Sequence, residues 1–120
     1  MVNAIVLKAD QAEVINADWG QLTWWASANL GNSDDMTIGR CILKPACENP
    51  KHFHPNCSEV LVVAHGRIMH TAPNGGEIEL SEGDSISIGA DFPHQARNIG
   101  DTDAVLFIAF SSADRRTVGE

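Results

Sequence analysis

From Leu22 to Phe110 the chain is a succession of short apolar or alternating segments, punctuated by turn residues at intervals of roughly eight to twelve positions. Helical 3.6-residue periodicity is nearly absent. This pattern predicts many short antiparallel strands, at residues 4–7, 22–27, 36–43, 52–54, 59–64, 67–72, 77–80, 85–88, 94–99 and 104–110. The connections carry turn chemistry. Asn74-Gly75-Gly76 is a hairpin signal, Glu82-Gly83-Asp84 and Gly100-Asp101 suit turns, and Gly66 suits a tight reversal between two apolar runs. Strands of this kind manage their exposed edges by closing on one another, so the expected fold is all-β, a small barrel or jelly roll. The run Ala104-Val105-Leu106-Phe107-Ile108-Ala109-Phe110 is apolar on both faces. One face can line the barrel interior, and the other needs cover from the N-terminal segment or a second subunit, which predicts a homodimer. Residues 111–116 are too polar for a further domain and read as a short helix or a frayed end.

A chain of 120 residues fits one domain and can bury a core without disulfides. Its net charge of −8 argues against nucleic acid or an anionic membrane as partner. The N-terminal apolar run is short and lacks a basic leader, and no stretch has the length of a membrane span. The cysteines Cys41, Cys47 and Cys57 are odd in number and follow no C-x-x-C spacing, so reduced thiols in a cytoplasmic setting are expected.

The chemistry concentrates in His52, His54, Glu59 and His94. Residues two apart on a strand share a face, which puts the His52 and His54 imidazoles side by side at a Cα separation of roughly 6.5–7 Å. A turn at Pro55-Asn56 predicts a hairpin that returns Glu59 beside them, and His94 follows a second turn signal at Asp91-Phe92-Pro93. Three imidazoles and a carboxylate suit one divalent transition ion, Fe(II), Mn(II), Ni(II), Zn(II) or Cu(II). Four protein ligands on an octahedral ion leave two positions open for a substrate.

These residues resemble the two signatures of the cupin superfamily. His52-Phe53-His54, then Glu59 and Gly66, match the first from its leading histidine to its final glycine, with Ala46 in place of the leading glycine. Gly83 through His94, followed by Asn98, matches the beginning and end of the second. Its central Pro-x-Gly is replaced by Gly89 and Asp91, and Pro93 stands just before the histidine. The resemblance implies a single cupin jelly-roll β-barrel over residues 1–120, with motifs at about 46–66 and 83–98. It also implies His52, His54, Glu59 and His94 as metal ligands. The superfamily hosts decarboxylases, dioxygenases, isomerases, lyases, cyclases, sugar-binding regulators and storage proteins, so fold alone does not choose a reaction.

Around the ligands, His70 is a candidate general base, and Arg40 a candidate for a substrate carboxylate or enolate, because a charge among apolar strand residues needs a partner. Trp24, Met69, Phe92 and Phe107 are candidate substrate-lining residues, and each is equally suited to a core. The expected activity is metal-dependent Lewis-acid chemistry of the cyclase, isomerase or lyase type, on a small apolar or aromatic, oxygen-bearing molecule. The alternatives are an Fe-dependent dioxygenase using the same ligands and a non-catalytic small-molecule sensor.

Overall fold

The computed structural model describes residues 3–119, which form an all-β jelly-roll barrel. Its strands are β1 (Glu13–Ala17), β2 (Gly20–Ala26), β3 (Thr37–Leu43), β4 (His52–Phe53), β5 (Glu59–His65), β6 (Arg67–Thr71), β7 (Glu77–Ser81), β8 (Ser85–Ile88), β9 (Ala96–Asn98), β10 (Ala104–Phe110) and β11 (Val118–Gly119). A six-stranded sheet runs in the order β1-β2-β3-β10-β5-β8, a three-stranded sheet in the order β7-β6-β9, and β4 pairs with β11. All of these pairings are antiparallel. No helix among the described residues is long and apolar enough to cross a membrane.

Strand β10 is the middle of the larger sheet, flanked by β3 and β5. That position explains its unbroken apolar run. Ala104, Leu106, Ile108 and Phe110 are buried inside the barrel, while Val105, Phe107 and Ala109 lie on the outer face. Strand β3 alternates in the same sense, with Thr37, Gly39, Cys41 and Leu43 buried. Both sheets feed one core, where Leu43, Val63, Ile68 and Leu106 are fully enclosed. Each such side chain contributes about 1.5–3 kcal/mol through removal from water. Gly39 keeps space for the Trp24 indole, since a Cβ at Gly39 would lie 2.5 Å from Trp24 Cε3.

Three expectations about local structure are corrected. Residues 4–7 form no strand, and Ile5 and Val6 are exposed; the first strand is β1, an edge segment whose central residues are all exposed and carry no inside-outside alternation. The hairpin through Pro55-Asn56 does not pair β4 with β5. Instead β4 bonds to β11, and β5 lies between β8 and β10. Residues 111–119 are neither a helix nor a frayed end, because they cross back over the barrel and finish as β11.

Only two non-glycine residues among those described have a positive φ: Ala46 at 62° and Asp91 at 68°. At both positions the cupin signatures call for glycine, as they do at Gly66 and Gly83, where glycine is kept. The backbone keeps the left-handed turn at both, although the side chains have changed.

Candidate metal centre

Strand β4 and the segment before β9 bring the ligands together. An isolated bridge joins His52 to His94, with backbone hydrogen bonds of 3.1 and 2.8 Å between them. Glu59 opens β5 with its side chain turned inward and buried. One nitrogen or oxygen from each of His52, His54, Glu59 and His94 lies within 4.8 Å of the other three.

Main-chain carbonyls fix all three imidazoles. Nδ1 of His52 donates to the Pro50 carbonyl (2.7 Å), Nδ1 of His54 to that of Arg116 (2.9 Å), and Nδ1 of His94 to that of Phe92 (2.8 Å). A carbonyl oxygen only accepts, so each ring carries its proton on Nδ1 and offers an Nε2 lone pair to the centre. Glu59 Oε1 lies 3.1 Å from His94 Nε2 and 3.3 Å from His54 Nε2. The buried His54 Nε2 has no hydrogen-bond partner. Acceptors therefore face acceptors in a buried space, an arrangement that a cation satisfies and that is costly without one.

A proton on His94 is the alternative to a cation in that space, and the electrostatics show which groups favour it. Burial opposes ionisation of Glu59, yet the flanking His54 and His94 imidazoles prevail and hold its carboxyl at about 2. Burial, reinforced by His94 and His54, pulls His52 down to about 4, which leaves its imidazole neutral and available to a cation. Burial also works against protonation of His94, but the Glu59 carboxylate and the Phe92 carbonyl outweigh it and raise that imidazole. Burial and then Glu59 push the nearby Cys41 thiol up to about 12, so it supplies no thiolate. The donor set is three imidazoles and one carboxylate, which fits Mn, Fe, Ni or Zn in the divalent state.

The centre opens into a cavity of about 210 Å³. At about 30 Å³ per water this holds several solvent molecules or one small organic compound. Its walls include Trp24, Leu22, Leu61, Leu106, Ile108 and Phe110, and His70 lines it beside the ligands. His70 stacks on His94 with ring centroids 5.7 Å apart and planes 19° apart, and its Nδ1 donates to the Thr71 carbonyl at 2.9 Å.

Of the other sequence candidates, Trp24 and His70 are at the cavity, whereas Arg40, Met69, Phe92 and Phe107 are not. Strand parity accounts for three of them. Phe107 lies between inward Leu106 and Ile108, so it faces outward, 43% exposed, with its ring 5.9 Å from Trp25. Arg40 pairs with Phe107 across the strands on that outer face, 5.6 Å from the Trp25 ring, and donates to Thr23 Oγ1 at 3.4 Å. Met69 lies between buried Ile68 and His70, so it points away from the interior. Phe92 contributes its carbonyl, not its ring. Sequence reasoning missed Trp19, Asn49, Arg115, Thr117 and Gly119, which also line the cavity. Three of these lie in the C-terminal crossing, where no periodic signal marks a structured segment.

Residues 39–110 match the family model described as the cupin domain. The chain belongs to the cupin family. Germin-like protein 3-8 of Oryza sativa subsp. japonica is 32% identical over 85 residues, covering 68% of this chain and 38% of that protein. Auxin-binding protein ABP19b of Prunus persica is 35% identical over 85 residues, covering 68% of this chain and 41% of its own length. The chain therefore spans about two-fifths of these curated relatives. Among solved structures, a variant of Bacillus subtilis oxalate decarboxylase superposes with a TM-score of 0.77 at 23% identity, over 89% of this chain and 29% of that one. The formate complex of Lactobacillus farciminis oxalate decarboxylase gives 0.81 at 15% identity, over 92% and 34%. At these identities the likeness is one of fold.

Proposed function

We propose that this cupin is a metal-dependent enzyme that performs Lewis-acid chemistry, of the isomerase, cyclase or lyase type, on a small oxygen-bearing organic molecule. One observation carries the reading: three oriented Nε2 lone pairs and a carboxylate converge, with no donor among them, on the wall of a cavity of substrate size. When bound, the divalent ion supplies Lewis acidity toward a substrate oxygen. His52, His54, Glu59 and His94 would hold it. Mn(II) has support from a structural neighbour, since the B. subtilis oxalate decarboxylase is described with Mn(II) centres.

The remaining work falls to the chain's own side chains. Trp24, Phe110 and the aliphatic walls exclude water from the reacting region. His70 is the proton carrier, and burial lowers its imidazole, so it stands neutral and ready to accept. Its Nδ1 is committed to the Thr71 carbonyl, which leaves Nε2 as the accepting atom. A homodimer joined through the outer face of the six-stranded sheet belongs to the same reading, supported by the exposed Val60 and Phe107 on that face.

The test is elemental analysis of protein purified without added metal, followed by turnover assays on candidate compounds. About one transition ion per chain is expected, and His52→Ala should weaken retention by at least about tenfold. Chelation should lower the melting temperature of the wild type but not of that variant. Full metal retention by His52→Ala would show the centre to be misplaced. Binding without conversion across substrate classes, in metal-replete protein, would replace the enzyme with a sensor.

A further inference from the structure

The segment after β10 carries a guanidinium into the metal cavity. Arg115 lines that cavity, with Cζ 4.4 Å from the centroid of the Trp24 ring and 5.2 Å from that of Phe110. Phe110 in turn lies 4.9 Å from His54, so a single ring separates the cation from a ligand of the centre. The segment is held at both ends. Asn56 bonds the main chain at Asp114 (2.8 Å) and at Arg116 (2.9 Å), and β11 bonds to β4.

Arg115 differs from the ion-paired surface arginines in its partners. Arg67 and Arg97, on the surface, pair with Glu79 and Glu77. Arg115 makes no ion pair among the described residues, and its side chain donates only to the Thr117 hydroxyl. Its guanidinium has five N–H donors and one neutral side-chain partner, and the Glu59 and Glu13 carboxylates act on it only from beyond ion-pair distance, so donors remain for a ligand. The two aromatic rings occupy space beside its planar group, while in-plane donors suit a forked contact with a planar anion.

We propose that Arg115 is an anion-binding subsite of this cavity, and that it takes the carboxylate of a small organic monocarboxylate. The cavity size sets the limit to a small acid, and the apolar walls at Leu22, Leu61 and Ile108 receive its carbon portion. One unpaired cation matches one negative charge, which disfavours phosphates and other polyanions. The role that sequence reasoning offered to Arg40 falls instead to a residue of the C-terminal crossing. This inference rests on the metal-dependent reading for what happens to the acid, but not for its capture.

The probe is pyruvate, with the neutral pyruvamide as its counterpart, titrated by calorimetry into metal-loaded and metal-stripped protein. Wild type should bind pyruvate more tightly than pyruvamide. Arg115→Gln should weaken pyruvate by roughly 10- to 100-fold and leave pyruvamide within about twofold. Arg115→Lys, which keeps the charge but loses the fork, should fall between, and it serves as the test if the glutamine variant fails to fold. Equal pyruvate affinity in wild type and either variant overturns the subsite, as does a wild type that shows no preference for the anion. A preference that depends on Arg115 but is the same with and without metal upholds the subsite while removing support from the metal-dependent reading.

Discussion

Nδ1 of His54 donates a hydrogen bond to the main-chain carbonyl of Arg116, 62 residues further along the chain, at 2.9 Å. The contact makes the C-terminal crossing part of the candidate metal centre. It sets the tautomer and plane of one ligand, and it places Arg115 and Thr117 on the cavity wall.

Asn56 is the clamp on which that contact depends, since it satisfies both Asp114 and Arg116. Asn56→Ala removes two hydrogen bonds and should cost about 1–3 kcal/mol of stability. Amide exchange across residues 114–119 should quicken. Metal affinity should fall about tenfold as His54 loses its orienting partner. Exchange mass spectrometry and a metal titration check both, and faster exchange with unchanged affinity would uncouple the crossing from the centre.

Acid should destabilise the metal-free protein. The folded state holds His52 at about 4 against 6.5 in a free chain, so between those values the unfolded state binds the extra proton and stability falls as pH drops. Glu59, at about 2 against 4.5, extends the loss over the lower window. Burial shifts His70 in the same sense as His52. His94 acts in the opposite sense, because its raised imidazole stabilises the acid form and loses that contribution as pH rises. The balance favours decline toward acid, so urea midpoints of metal-stripped protein should drop from pH 7 to pH 4. Midpoints that climb over this range would mean that the His94 contribution dominates.

Ala46→Gly should raise stability. At φ 62° the Ala46 Cβ is crowded, at a cost of about 1–2 kcal/mol, and glycine removes the crowding while loosening the unfolded chain by about 0.5–1 kcal/mol. The net gain expected is about 0.5–1 kcal/mol in the denaturation midpoint. Asp91→Gly should gain less, because aspartate tolerates the left-handed region better. A loss of stability in the Ala46 variant would show that its methyl makes a contact worth more than the strain.

The histidine pair of the candidate centre was legible because its spacing is local. The period of two in a strand puts His52 and His54 on one side, and Glu59 and His94 follow turns whose residues announce themselves. The route by which Glu59 arrives was not legible. The expected β4–β5 hairpin is absent, and β5 is placed through β10 and β8. Trp24 and His70 do line the cavity, whereas Arg40 and Phe107 lie away from it for a related reason. Phe107 and Arg40 look like core and pocket residues in a one-dimensional reading, yet they share an outer face set by the register of β10 on β3.

By itself, then, the order of residues determined an all-β barrel, from strand alternation and turn residues, and the identity of a histidine-and-glutamate cluster, from the local His52-Phe53-His54 spacing and the match of His94 to a second signature 35 residues beyond Glu59. Tertiary structure alone decided which side chains surround that cluster. The crossing of residues 111–119 has no periodicity and little apolar character, so nothing local directs it. Its position follows from hydrogen bonds to Asn56 and His54 and from strand pairing with β4, contacts that span about half the chain.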